Sequence, residues 1–252
     1  MSSIFDLYEG DCIKIMDELI SMNVKVDMVL ADIPFGSTRA KWDNIIPFDK
    51  MWDRISKLKK NDRTPVLLFG QTPFDKVLGS SNIKELKYEW IWEKGNATGH
   101  LNAKKMPMKC HENILVFYKK PPIYNPQKTT GHKRKVSTLE SKSKSKDSVL
   151  YNKGTYVVGY DSTERYPRDI LKFSSDKQKS KLHPTQKPVK LMEYFILTYT
   201  NEGDIVLDFT MGVATTGIGC INTGRGFIGI DNCPVIFRKA VKRCSDHREI
   251  IT

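Results

Sequence analysis

The sequence predicts an α/β protein built on a mostly parallel sheet with helices on both faces. Two short apolar runs, Val26–Ala31 and Ile205–Phe209, support this prediction, because each leads directly into a turn, as the strands of open α/β sheets do. Segments with apolar residues at helical spacing separate these runs from other short apolar runs. This alternation is typical of parallel strands joined by crossover helices.

Each predicted element rests on its own local pattern. Helical spacing of apolar residues and a proline in the first turn mark the helices, while short apolar or aromatic runs mark the strands. The predicted first half comprises a helix with Ile13, Met16, Leu19 and Ile20, a strand ending at Ala31, a helix with Met51, Ile55 and Leu58, a strand at Pro65–Phe69, a helix opened by Thr72 and Pro73, and a strand at Tyr88–Trp92. The predicted second half comprises a helix opened by Pro188, a strand at Ile205–Phe209, a helix through Cys220 and a strand at Gly226–Asp231.

A carboxylate, a proline and an aromatic ring follow the first apolar run as Asp32-Ile33-Pro34-Phe35. Ligand sites of open α/β sheets collect beyond the carboxyl ends of the strands. Asp32 and a backbone carbonyl of Ile33 or Pro34 can accept both N–H bonds of an exocyclic amine, while Phe35 stacks on the ring that carries it. A plain turn is the alternative interpretation, because Asp and Pro are common turn residues.

A turn of small residues follows the second run. Gly212, Ala214 and Gly217 have the spacing of a dinucleotide-binding loop in which one glycine is replaced by alanine. Asp231 ends the next predicted strand roughly 20 residues after Asp208, where a ribose-binding carboxylate belongs. Either feature alone also fits a structural turn, but together they favour an adenosine-containing cofactor.

These segments resemble S-adenosylmethionine-dependent amino-methyltransferases that act on DNA. Asp32–Phe35 resembles their D-P-P-Y catalytic motif, and Asp208–Gly217 resembles their D-P-F-x-G-x-G-T-T-G cofactor motif, in the order of the β group. Further matching segments are Leu7–Cys12, His111–Phe117 and His183–Pro188, and Asp32–Thr38 followed by Trp42-Asp43 resembles a subgroup frequent in phages and mobile elements. The resemblance covers nearly the whole chain except about residues 121–165. It implies a Rossmann-like methyltransferase fold with permuted motif order.

The resemblance also implies roles for individual residues. Asp32, Ile33, Pro34 and Phe35 are the implied catalytic residues, acting on a base flipped out of the duplex without a covalent enzyme intermediate. The implied S-adenosylmethionine-binding residues are Asp11, Cys12, Thr185, Gln186, Lys187, Asp208, Thr210, Met211, Gly212, Val213, Ala214, Thr216, Asp231 and Asn232, with Thr185–Lys187 on the side of the cofactor carboxylate. The sequence departs from the family pattern at Phe35, where tyrosine is usual, and at Ala214, whose Cβ stands where close backbone approach is wanted.

The charge of the chain predicts a nucleic-acid partner. The 252 residues carry a formal net charge of +12 with a sequence pI near 9.4, and much of the basic excess lies between Lys119 and Lys190. We predict a catalytic domain from residues 1–120 and 181–252, with an inserted, partly flexible target-recognition region at 121–180. The predicted DNA-binding residues are Arg39, Lys41, Lys104, Lys105, Lys133, Arg134 and Lys135.

Several alternatives remain open from the sequence. Adenine N6 is the favoured target over cytosine N4, because Asp at the first motif position resembles the adenine enzymes. A non-catalytic DNA-binding relative and an RNA methyltransferase are the other hypotheses. The five cysteines predict no disulfide framework and no metal site, and we expect a protein of the cytoplasm of a prokaryotic or phage-infected cell. A cognate restriction endonuclease and a homodimer are further predicted partners.

Overall fold

The structure, a computed structural model, describes residues 4–37, 43–138, 159–174 and 186–251. Ten strands and six helices are present in these ranges, besides a short 3-10 turn at His100–Asn102. The strands are β1 (Phe5–Glu9), β2 (Met28–Ala31), β3 (Val66–Gly70), β4 (Leu86–Thr98), β5 (Lys109–Phe117), β6 (Lys135–Ser137), β7 (Tyr160–Ser162), β8 (Ile170–Phe173), β9 (Ile205–Asp208) and β10 (Gly226–Asp231). The helices are α1 (Cys12–Ser21), α2 (Phe48–Leu58), α3 (Phe74–Ser81), α4 (Val189–Tyr199), α5 (Thr215–Thr223) and α6 (Pro234–Ile251).

Eight strands form one sheet in the order β1-β10-β9-β2-β3-β5-β4-β8. The first five are parallel to one another, β5 runs antiparallel to both β3 and β4, and β8 is parallel to β4. The predicted α/β class with a mostly parallel sheet is therefore confirmed. The two halves of the chain meet where β9 pairs with β2 in the middle of the sheet.

Alternate residues of the central strands face two separate apolar layers. Met28 and Leu30 of β2 join the cluster that contains α4, α5 and α6, whereas Val29 and Ala31 join the cluster that contains α1, α2 and α3. Successive side chains of a strand point to opposite faces, so these fully buried strands are apolar throughout. The predicted helices therefore cover both faces of the sheet, and none of the described helices is long and apolar enough to cross a membrane.

The chain divides into two compact units, residues 1–125 with 169–252 and residues 126–168. In the smaller unit β6 pairs antiparallel with β7, and Arg134 Nη2 contacts Asp161 Oδ2 at 2.5 Å. This unit is shorter at both ends than the predicted insert at 121–180. At the C-terminal end, β8 pairs with β4 in the main sheet, with Ile91 opposite Ile170, so residues 169–174 belong to the larger unit. At the N-terminal end, the backbone N–H of Asn125 donates to the carbonyl of Thr198 in α4 at 2.7 Å.

Candidate active site

A cavity of about 1240 Å³ opens in the larger unit at the carboxyl ends of the central strands. Parallel pairing places the ends of β1, β10, β9 and β2 side by side, and Glu9 lies opposite Asp231 in the register. All four predicted catalytic residues line the cavity, as do these predicted cofactor residues: Asp11, Cys12, Gln186, Lys187, Asp208, Thr210, Met211, Gly212, Val213, Thr216, Asp231 and Asn232. The structure thus brings the two predicted motifs into one site.

The two motifs are also joined directly. Thr210 Oγ1 donates a hydrogen bond to the backbone carbonyl of Asp32 at 3.2 Å. The backbone N–H of Thr210 in turn donates to Asp208 Oδ1 at 3.1 Å. The turn after β9 is therefore held against the turn after β2, across the junction between the two halves of the sheet.

Asp32 lies at the end of a row of alternating charges, formed with Lys187, Glu112 and Lys94, that the sequence did not reveal. Lys187 Nζ lies 3.0 Å from Asp32 Oδ2 and 2.7 Å from Glu112 Oε2, and Lys94 Nζ lies 2.6 Å from Glu112 Oε1. The exposed fractions of the side chains are 29% for Asp32, 8% for Lys187, 10% for Glu112 and 14% for Lys94. Only Asp32 therefore presents a substantial surface to the cavity.

Burial and pairing set the protonation of this row. Burial raises the pKa of Asp32, and the contact with Lys187 offsets part of that rise. Burial also acts against the charged forms of the other two groups, but the carboxylates of Asp32 and Glu112 raise the pKa of Lys187, and Lys187 with Lys94 lowers the pKa of Glu112. Lys187 and Glu112 are thus both held in their charged forms.

The rest of the catalytic motif supplies an aromatic ring and backbone acceptors. The Phe35 ring stacks on Phe74 with centroids 5.0 Å apart and an interplanar angle of 29°. Ile33 is buried in the α1–α3 layer, so it faces the cavity mainly through its backbone. The carbonyls of Ile33 and Pro34 accept no hydrogen bond from any described residue. These carbonyls are therefore open to a donor in the cavity.

Two buried aspartates shape the other half of the site. Asp208 accepts hydrogen bonds from the Thr210 N–H and from Thr216 Oγ1 at 2.6 Å, and burial raises its pKa to about 7. Asp231 Oδ2 accepts from the Gly212 N–H at 3.0 Å and Oδ1 accepts from the Cys233 N–H at 2.8 Å. Each Asp231 oxygen retains acceptor capacity for a hydroxyl in the cavity.

The turn after β9 leaves room for a ligand close to its backbone. Gly212 has a φ of +54°, and no described atom beyond Gly212 and its two chain neighbours lies within 4 Å of the position that a Cβ would occupy there. At the end of β1, Asp11 caps α1 by accepting from the N–H groups of Ile13 and Lys14. Burial raises the pKa of the Cys12 thiol to about 11, so that thiol is neutral at pH 7. The open turn at Gly212, the hydroxyl acceptor Asp231 and the neutral Cys12 thiol together fit an adenosine-containing cofactor.

The structure gives Ala214 and Lys187 partners that the sequence did not predict. Ala214 adopts a φ of +54° with its side chain in the core, and its backbone N–H donates to Met211 while its carbonyl accepts from Ile218. Because both backbone groups are used inside the protein and Ala214 is absent from the cavity wall, the predicted contact of Ala214 with the cofactor is not supported. Lys187, predicted on the side of the cofactor carboxylate, lines the cavity and contacts Asp32.

Five of the predicted DNA-binding residues are described by the structure, and none of these five is in the cavity wall. Lys104 and Lys105 are exposed in the turn between β4 and β5, and Lys133 and Lys135 are exposed in the smaller unit. Arg134, also exposed, pairs with Asp161 and is therefore not a free cation. Arg39, Lys41 and Thr185 lie outside the described residues, together with the stretch at 139–158 of the predicted insert.

Sequence reasoning missed Glu112 and Lys94 as site residues. The signal for Glu112 was its position in β5, where it and Asn113 are buried polar residues directly before four apolar ones. A buried carboxylate is almost always paired. Lys94, in a strand with mixed polarity, offered no comparable signal.

Comparison with known proteins identifies the family. The model of the N6/N4 DNA methylase family, described as DNA methylase, matches residues 26–242. The chain belongs to this DNA methylase family. This DNA methylase is 29% identical over 253 residues to the Type II methyltransferase M1.MboII of Moraxella bovis, covering 92% of this chain and 93% of that one. It is also 55% identical over 49 residues to the DNA adenine methyltransferase YhdJ of Escherichia coli K12, covering 19% of this chain and 17% of that one.

A solved structure confirms the fold, and it was determined as a complex with S-adenosylmethionine. The crystal structure of the M1.HpyAVI–SAM complex matches this DNA methylase with a TM-score of 0.67 and 25% identity, covering 95% of this chain and 98% of that one. The cofactor of this methylase is S-adenosylmethionine, which supplies a methyl group bound to a positively charged sulfur. Its substrate is DNA. Residues of the cavity wall that fit the cofactor are Gly212, whose turn is open, and Asp231, which can accept ribose hydroxyls.

Proposed function

We propose that this DNA methylase methylates the N6 amine of an adenine that is flipped out of double-stranded DNA at a specific site. The observation that carries the proposal is the position of Asp32 beside the open Ile33 and Pro34 carbonyls, in one cavity with the cofactor half. An exocyclic amine has two N–H donors, and Asp32 together with one of the two carbonyls matches that number. The base is out of reach inside the duplex, so the reaction requires flipping.

The residues around the base act mainly by position and charge. Asp32 and a carbonyl of Ile33 or Pro34 accept the amine hydrogens, which directs the nitrogen lone pair away from the ring. The negative charge of Asp32 stabilises the positive charge that develops on the nitrogen during transfer. Phe35, supported by Phe74, stacks on the base. The bond between nitrogen and the methyl carbon would form as the carbon–sulfur bond breaks, a neutral thioether would leave, and the methylated nitrogen would lose its extra proton to Asp32 or to water. Holding the two reactants in line supplies much of the acceleration.

Two observations favour adenine over cytosine as the target. The motif begins with Asp32, as it does more often in the adenine enzymes that it resembles. The relative YhdJ, whose name gives adenine as its target, shares 55% identity over 49 residues. The family covers both N6 and N4 amines, so the identity of the methylated base is the property to test.

The test is to incubate the purified chain with labelled S-adenosylmethionine and unmethylated genomic DNA, and then to identify the methylated nucleoside by mass spectrometry. We expect N6-methyladenine. N4-methylcytosine would keep the mechanism and reverse the base assignment. A structured RNA in a parallel reaction tests the RNA alternative, and a lack of any product, with cofactor binding verified by calorimetry, would support the non-catalytic alternative.

Asp32→Ala in the same assay tests the role of the motif. We expect methyl transfer to fall below detection, because the amine loses its charged acceptor, while the Kd for S-adenosylmethionine stays near that of the wild type. The matched control is Asp17→Ala, which removes an exposed carboxylate on α1 whose partner is Arg54. Undiminished transfer by Asp32→Ala would refute the mechanism.

We further propose that the unit at 126–168 takes part in target recognition, and that a cognate restriction endonuclease acts with this methylase. The support is the basic character of the insert and the Type II names of the relatives. A homodimer is also proposed. Light scattering with and without DNA measures the oligomeric state, and restriction of unmethylated DNA in cells that carry the flanking genes tests for the nuclease.

A further inference from the structure

The three charged side chains behind Asp32 are largely buried, and burying charges costs free energy of folding, so their presence needs an explanation. Lys187, Glu112 and Lys94 are largely buried, and buried ion pairs are often no more stabilising than apolar residues of the same volume. Stability alone therefore does not account for three charged side chains packed against one catalytic carboxylate. A role in the reaction does account for them.

We propose that Lys187 and Glu112 are positioning residues that orient Asp32 toward the substrate amine. The proposal rests on the function proposed above, in which Asp32 accepts an N–H bond of the base. Lys187 binds Oδ2 of Asp32, and among the residues that the structure describes none donates to Oδ1. Because one oxygen is held, the other has a defined position, and Asp32 keeps part of its surface in the cavity.

Glu112 limits how far Lys187 neutralises the charge of Asp32. If Lys187 paired with Asp32 alone, the ammonium would neutralise much of the negative charge that the developing cation on the base requires. Glu112 binds the same ammonium more closely, at 2.7 Å against 3.0 Å for Asp32, and Lys94 balances Glu112 from the far side. The row carries two positive and two negative charges, so Asp32 is fixed in place without being fully neutralised.

This assignment differs from a cofactor-binding role for Lys187, and kinetics separates the two. For Lys187→Gln we expect kcat at saturating S-adenosylmethionine to fall about 10- to 100-fold, as is usual when a supporting partner of an active-site group is removed, while the Kd for S-adenosylmethionine in calorimetry is unchanged. A cofactor-binding lysine would give the reverse: weaker cofactor binding and a normal kcat at saturation. That reverse result would overturn the proposal.

The pH dependence of kcat adds a readout that a packing defect would not produce. The charged groups around Asp32 are Lys187 before α4, Glu112 on β5, Lys94 on β4 and Asp208 on β9. Removing the Lys187 charge disfavours ionised Asp32, so the acidic limb of the profile should move to higher pH. Glu112→Gln removes a negative charge that raises the pKa of Asp32, and Lys187 then pairs with Asp32 alone. The pKa of Asp32 should therefore fall, so the acidic limb should move to lower pH while kcat falls.

A matched control is available on α4. Glu193 accepts from Lys190 Nζ at 2.7 Å with its side chain 10% exposed, the same values that Glu112 has with Lys187, but it is not in the cavity wall. Glu193→Gln should therefore keep the wild-type kcat and pH profile. If circular dichroism shows that Lys187→Gln does not fold, the kcat and pH profile of Glu112→Gln, which preserves side-chain shape, test the positioning role.

The outcomes are distinguishable from failure of the proposed function. A wild-type kcat and an unshifted acidic limb in Glu112→Gln would overturn the positioning role even if the wild-type product is N6-methyladenine. A wild-type product of N4-methylcytosine would change the target base and leave the positioning role intact, because a cytosine amine needs the same acceptor. The nucleoside is identified in the same reactions that give kcat.

Discussion

Gly212→Ala tests whether the cofactor approaches the backbone of the turn after β9. Gly212 has a φ of +54°, and an added Cβ would meet no protein atom within 4 Å. The substitution thus introduces backbone strain without a steric clash inside the protein. The strain of a non-glycine residue in the left-handed region is about 1–2 kcal/mol, and each kcal/mol lowers Tm by roughly 2–4 °C in a chain of this size.

The same Cβ would occupy space in the cavity where S-adenosylmethionine is expected to lie. Inserting a methyl group into a well-packed contact costs about 1–3 kcal/mol, which corresponds to a Kd raised about 5- to 150-fold. Gly203→Ala is the matched control: its φ is +82°, its added Cβ also meets no atom within 4 Å, and Gly203 is not in the cavity wall. Both variants should lose similar stability, but only Gly212→Ala should lose cofactor affinity.

Thermal unfolding without cofactor measures the strain, and calorimetric titration with S-adenosylmethionine measures the affinity. Equal Kd values for Gly212→Ala, Gly203→Ala and the wild type would refute the reasoning, because the open space at Gly212 would then not be used by the cofactor. A loss of affinity in both variants would instead indicate that strain spreads through the fold.

Three further predictions concern other parts of the site. Burial gives folded Asp208 a pKa of about 7, above its value in the unfolded chain, so between about pH 4 and 7 the free energy of unfolding of the wild type falls as pH rises. Asn cannot ionise, so the stability of Asp208→Asn minus that of the wild type should be larger at pH 8 than at pH 5. Urea unfolding that gives the same stability difference at both pH values would contradict this. Phe35→Tyr should keep activity, whereas Phe35→Ala, which loses stacking worth about 1–3 kcal/mol, should lower kcat/KM about 5- to 150-fold, and equal activities of the two variants would exclude a stacking role. Replacing Lys104 and Lys105 together by Ala should reduce the slope of log K for DNA against log salt concentration by about 1.8 if both contact phosphates, and an unchanged slope would remove this turn from the DNA interface.

Much of the fold was predictable because the signals are local. Apolar periodicity and the prolines at helix starts predicted α1, α2 and α4, and the run at residues 226–231 predicted β10 with the observed bounds. The strand β8 was not predicted, since Ile170–Phe173 is a four-residue run in a basic segment and only its pairing with β4 makes it part of the sheet. That pairing also sets the boundary of the smaller unit.

The sequence by itself determined the class of fold, the two motifs and their order, because each depends on residues that are neighbours along the chain. It also placed Asp32 and Asp231 at strand ends, where the cavity forms. Only the tertiary structure decided how Asp32 is held. Lys94, Glu112 and Lys187 come from β4, β5 and the segment before α4, and the sheet order that inserts β5 between β3 and β4 brings their charges together. Contacts between residues so far apart in sequence depend on strand pairing, which no local pattern encodes.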